Sequence, residues 1–189
     1  MSDRLIKFFV SQADFETWLE KNHASAREIW VKLAKKDSGV RSIARAEALE
    51  SALCFGWIDG QAASFDEPFW LQRFTPRRPK STWSLKNCDA ASVLVEAGRM
   101  RPAGLQAMEA AKQDGRWDRA YASPSNMTVP EDFQEKLEAN PRAKAFFEEL
   151  DSRNRYAILY RIQDAKRAAT RQRRIDRYLA MLDAHETIY

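Results

Sequence analysis

The sequence predicts an α+β protein: a small antiparallel sheet with flanking helices, followed by an all-α C-terminal helical module. Three observations predict it. Strand-like alternation is confined to the chain before Pro76, and from Pro130 onward the apolar spacing is helical. Only six glycines and seven prolines in 189 residues disfavour a turn-rich sandwich or barrel.

The elements follow in order. Leu5 to Val10 reads as a first strand, and Ser11 caps a helix to about Asn22 with Phe15, Trp18 and Leu19 on one side. Glu28 to Lys35 alternates, with Ile29, Val31 and Leu33 on one face. Ser42 to Phe55 returns to helical spacing and ends at Gly56, which suits the left-handed position past a helix end. Trp57 to Phe65 and Phe69 to Thr75 form a hairpin around Asp66-Glu67-Pro68. Pro76 and Pro79 then break the sheet. Ser84 caps a helix through Ala97 that Gly98 ends; Pro102 opens another that Gly115 closes. The helical tail is broken near Pro141, Ser152 and Ala165. The expected organisation is an α+β domain at 1–122, a linker at 123–129 containing Ser123-Pro124-Ser125-Asn126, and a helical module at 130–189.

A hydrophobic content of 44% argues for a packed core and against disorder. A net charge of +4 with pI near 9.1 permits anionic partners without requiring them. Cys54 and Cys88 lack ligand-spaced companions and sit among apolar residues, so they read as buried reduced thiols rather than disulfide or metal ligands. The N-terminus has no secretory pattern, and the uncharged run Ser51 to Ile58 is too short to span a bilayer. The expectation is a cytoplasmic protein without membrane insertion, metal or cofactor.

The centre of the chain is the main candidate site. ALCFGWIDGQ, FWLQRFTPRR and STWSLKN place Trp57, Trp70 and Trp83 beside Arg73, Arg77 and Arg78, with one acid at Asp59. Arg grips carboxylate or phosphate with a planar fork and stacks on aromatic rings. Regular alternation puts Trp57, Asp59, Gln61 and Ala63 on one face of the first hairpin strand. Phe69, Leu71 and Arg73 share a face of the second, so that Asp59 meets Arg73 across the hairpin. Two arrangements fit. In one, Arg73, Arg77 and Arg78 hold an anion, Trp57 or Trp83 is a stacking wall, and Asp59 orients. In the other, Asp59 and Arg73 tie the hairpin together and the tryptophans fill the core.

The tail is the second candidate. Arg153 to Arg177 holds nine Lys or Arg against two Asp. Ala168, Gln172, Ile175, Leu179 and Leu182 are expected on the buried side of the last helix, leaving Arg167, Arg171 and Arg174 as a stripe. The stripe suits nucleic-acid phosphates, or is a solvated face with Asp164 and Asp176 pairing locally. No phosphate loop, nucleophile elbow or HExxH pattern is present, and His23 and His185 lie at polar helix ends. No catalytic residue is assigned; an enzyme would have to use Asp59 and its neighbouring arginines.

EALESALCFGWIDGQ, then QRFTPRR, WSLKN, GRMRPAG and GRWDRAY, resemble the YdeI/OmpD-associated family, also called the bacteriocin-protection family. The tail resembles its C-terminal helical module through Arg161-Ile162, Ala165-Lys166, Thr170-Arg171 and Arg174-Ile175. These matches run along nearly the whole chain. The N-terminal part is also similar to small α+β domains of the YjbR and frataxin-like kind. The family resemblance implies a role in bacteriocin or stress tolerance and no enzymatic mechanism or cofactor. The function expected is therefore binding, of a small anionic ligand or a protein partner. Nucleic-acid association through the tail is the alternative.

Overall fold

The computed structural model describes residues 4–123 and 126–189. Pro124 and Ser125, in the segment expected to be a linker, lie outside them. The chain divides into two compact units, Met1–Ala120 and Tyr121–Tyr189.

The first unit carries β1 (Ile6–Phe8), α1 (Gln12–Asn22), β2 (Ile29–Ala34), α2 (Arg45–Cys54), β3 (Trp57–Ser64), β4 (Phe69–Pro76), α3 (Leu85–Glu96) and α4 (Pro102–Gln113). The strands form one sheet in the order β1-β2-β4-β3. Its β2–β4 and β3–β4 pairings are antiparallel, but β1 runs parallel to β2 because α1 carries the chain back between them. The sheet is thus mixed. The caps fall where the sequence places them: Ser11 with Asp14 forms a capping box on α1, and Ser84 accepts from the Asn87 N–H on α3. Gly56 has φ +72°, the left-handed conformation a side chain disfavours.

Helix α2 starts at Arg45, three residues later than its spacing predicts. The reason is backbone competition. Ser42 Oγ accepts from the Ala34 N–H at 3.0 Å, and the Ile43 N–H bonds the Phe9 carbonyl at 3.0 Å, so residues 42–43 are held against strands. The core joins Phe15, Leu19, Ala52 and Leu53 to Ile29, Val31, Leu33, Trp57 and Phe74. Arg99 ties helices together across it, bonding Glu50 at 2.9 Å and Glu16 at 3.0 Å.

A bulge in β3 overturns part of the expected hairpin geometry. Asp59 pairs with Phe74 and Ala62 with Gln72, so Gly60 and Gln61 together stand opposite Arg73. Ala62, rather than Gln61 and Ala63, falls on the Asp59 side. Directly paired residues share a face, which places Asp59 with Phe74 and on the opposite face from Arg73. The buried Gln72 stitches the bulge, its Nε2 donating to Gly60 O at 2.9 Å and Gln61 O at 3.3 Å.

The second unit is α5 (Glu131–Glu138), α6 (Pro141–Glu149), α7 (Ser152–Gln163) and α8 (Ala168–Asp183). Asn140 and Asp151 cap α6 and α7. Phe133, Leu137, Phe147, Ile158, Ile162, Ile175, Tyr178 and Leu182 form its core. On α8 the buried residues are Ile175, Tyr178 and Leu182, whereas Ala168 and Gln172 are exposed and Leu179 is half-buried. Ile175 and Leu182 of the expected face are thus buried, and Tyr178 takes the place expected of its neighbour Leu179. Among the described residues no helix is long and apolar enough to cross a membrane.

Candidate functional site

The six central residues take different places. Trp57 is 1% exposed and Trp83 2%, so neither ring offers a face to a ligand. Trp57 meets Trp18 edge-on at 6.0 Å and donates from Nε1 to the His23 carbonyl at 3.2 Å. The Arg77 guanidinium lies 3.5 Å above the Trp83 ring and donates to the Thr82 carbonyl at 3.1 Å. Arg78 is exposed.

The expected Asp59–Arg73 pair does not form. Arg73 donates to Glu28, with Nε at 2.9 Å, beside its cross-strand neighbour Trp30. Asp59 instead accepts from Arg45, the first residue of α2, at 2.6 Å. Of the tail stripe, Arg171 grips Asp132 with both Nε and an Nη, at 2.6 and 2.7 Å, and lowers that carboxyl's pKa. Arg174 donates to the Arg161 carbonyl and has Asp164 at 3.9 Å. Arg167 precedes α8 as its N-cap residue. Two of those three arginines therefore serve their own unit.

What Asp59 does bring into place is a different cation. Arg45 stands at the rim of a cleft of about 410 Å³ lined by Leu33, Lys35, Lys36, Ser42, Trp70 and Arg45 among others. This volume suits a small ligand. Lys35 and Lys36 follow the end of β2, Trp70 pairs with Leu33 on the helix-facing side of the sheet, and Ser42 folds the intervening loop back onto Ala34. Arg45 is 52% exposed, so its pairing with Asp59 contributes at most about 1 kcal/mol. Asp59 therefore supplies orientation rather than stability. The Glu47 carboxylate takes the Ala44 N–H at 2.8 Å, which leaves anion binding in the cleft to side chains rather than to that amide. The elements sought in the sequence are here: Asp59 is again the orienting acid, while Trp70 is the aromatic wall and Arg45, Lys35 and Lys36 are the cations. The Lys35-Lys36 doublet just past a strand was the signal for it.

Both cysteines are buried free thiols, and burial pushes each pKa up to about 11, away from the reactive thiolate. Among the described residues no cluster of His, Cys, Asp or Glu is placed to hold a metal.

Fold and site define a mixed-sheet α+β unit bearing a cationic cleft, with a separate four-helix unit. Residues 7–107, more than half the chain, match the model described as Domain of unknown function (DUF8412), and the chain belongs to that family. Residues 126–185, about a third of the chain, match the family described as Bacteriocin-protection, YdeI or OmpD-Associated, the resemblance its tail motifs lead one to expect. The central run lies within the first match rather than the second. Comparison with curated proteins and with solved structures gives no match.

Proposed function

We propose that the protein is a cytoplasmic binding protein that holds a small anionic ligand in the Arg45 cleft and acts in bacteriocin or stress tolerance. The observation that carries this reading is the Asp59-held guanidinium of Arg45 at a cleft also lined by Lys35, Lys36, Ser42 and Trp70. An orienting carboxylate reduces the rotamer freedom that an arginine otherwise loses on binding, which favours affinity. Two buried free thiols accord with a reducing compartment. The tolerance role is supported by the family description alone.

Thermal unfolding with phosphate, pyrophosphate or citrate at constant ionic strength tests the cleft. A ligand present at a hundred times its Kd stabilises by about 2.7 kcal/mol. At least one oxyanion should raise the wild-type Tm, and Lys36→Gln or Arg45→Gln should abolish that rise while leaving the unliganded melt nearly unchanged. Arg78→Gln should retain it. No response from the wild type, or an equal response from every variant, would refute the reading.

A further inference from the structure

The helical unit holds a second cleft, of about 520 Å³, lined by Ser152, Arg153, Tyr156, Ala157, Tyr160, Arg161 and Tyr189. Its floor is one face of α7, where Arg153, Ala157 and Arg161 recur every fourth residue beside Tyr156 and Tyr160. The two tyrosine rings stack at 5.8 Å, and Tyr121 meets Tyr160 edge-on at 5.3 Å. The wall opposite is Tyr189. Asn154, only 4% exposed, accepts from the Ile188 and Tyr189 N–H groups at 3.0 Å each and so fixes that ring against α7.

Both guanidiniums of the cleft lie over this wall, Arg153 at 4.0 Å and Arg161 at 5.9 Å from the Tyr189 centroid. Neither forms an ion pair among the described residues, in contrast to Arg73, Arg99 and Arg171. Asp151, next but one to Arg153 in the chain, is committed to the α7 cap through the Asn154 N–H at 2.7 Å, the main cause of its lowered pKa. The cleft thus combines three tyrosine rings with two arginines that lack a carboxylate partner. Rings select a flat apolar body, and arginine forks select an oxyanion on it.

We infer that this cleft binds a planar aromatic ring bearing a carboxylate or phosphate. The site is independent of the Arg45 cleft. Titration calorimetry on the full chain tests it with 2-naphthoate and 2-naphthyl phosphate, which separate the two oxyanions. The controls are 2-naphthamide, which lacks charge, and cyclohexanecarboxylate, which lacks the ring. At least one naphthyl oxyanion should bind. Arg153→Gln and Arg161→Gln should each weaken it about ten- to a hundredfold, the loss of one charged hydrogen-bonding group. Arg161→Lys, which keeps the charge, should recover part of the affinity, and wild-type melting of each variant excludes misfolding. Lys36→Gln and Arg45→Gln should leave the binding unchanged, whatever becomes of the Arg45 cleft. Absence of binding, equal binding of 2-naphthamide or of cyclohexanecarboxylate, or loss through Lys36→Gln or Arg45→Gln would each overturn the inference.

Discussion

Asn154→Ala separates the anchoring of the chain's last residues from the stability of the helical unit. The Asn154 Oδ1 accepts from two backbone N–H groups, Ile188 and Tyr189, at 3.0 Å, while its Nδ2 donates to Asp151 at 3.1 Å. A typical intramolecular hydrogen bond contributes about 1 kcal/mol net, so loss of the two bonds to residues 188–189 weakens docking by about 2 kcal/mol. That corresponds to about a 30-fold larger open population. The cap itself persists, because the bond from the Asn154 N–H to Asp151 belongs to the backbone. Hydrogen exchange followed by NMR should show the amides of Ile188 and Tyr189 speeding up about 30-fold in the variant. Core amides of α7 such as Ile158 should move far less. The naphthoate affinity of the cleft should fall with them, since Tyr189 is its wall. If these two amides are already unprotected in the wild type, Asn154 does not pin them and the reasoning fails.

Three further outcomes follow from packing and charge. Trp57→Ala should destabilise the first unit by about 3–5 kcal/mol, since the ring is fully enclosed; an unchanged melt would show it to be peripheral. Gly104→Ala should lower stability by about 1–3 kcal/mol despite better helix propensity, because the new Cβ would meet the Cys54 carbonyl oxygen at 2.3 Å; a higher Tm would refute the close approach of α4 to α2. The Asp132 carboxyl is held below its usual range, chiefly by its hydrogen bonds to Arg171, so its contribution is present above the ordinary aspartate pKa and is lost as pH falls through the depressed folded value. Asp132→Asn should therefore flatten the loss of stability below about pH 4; denaturant melts across that range that parallel the wild type would count against the pair.

Helix boundaries were legible wherever a local device sets them. Ser11, Ser84, Gly56, Gly98, Pro102 and Pro141 act on the turn next to them, and the structure uses each as its neighbourhood implies. What escaped the sequence depends on contacts far along the chain. The parallel pairing of β1 follows from where α1 returns the chain, and the late start of α2 from bonds to Phe9 and Ala34. The Asp59–Arg73 expectation failed for a sharper reason. Side chains alternate with a period of two, so one extra residue at Gly60–Gln61 moves every later side chain of β3 to the other face. Nothing in WIDGQ announces that insertion except the glycine.

The arginines show why charge density alone is a poor guide to a site. A guanidinium beside a carboxylate, as Arg73 beside Glu28 or Arg171 beside Asp132, has already exchanged its water for a protein partner, and an incoming anion must displace that partner. The sequence count weights these equally with Arg153 and Arg161, which rest on a tyrosine ring. A ring leaves the fork's N–H groups available, because it contacts the flat face of the guanidinium and not its edge. Arg45 lies between these cases: one Asp59 oxygen at 2.6 Å occupies one Nη and the Gln72 Oε1 takes Nε at 3.5 Å, which fixes the plane beside the cleft and leaves the other Nη. Sorting cations by the partner they already have, rather than by their number, sets aside Arg73 and Arg171 and points to Arg45 and to the α7 face.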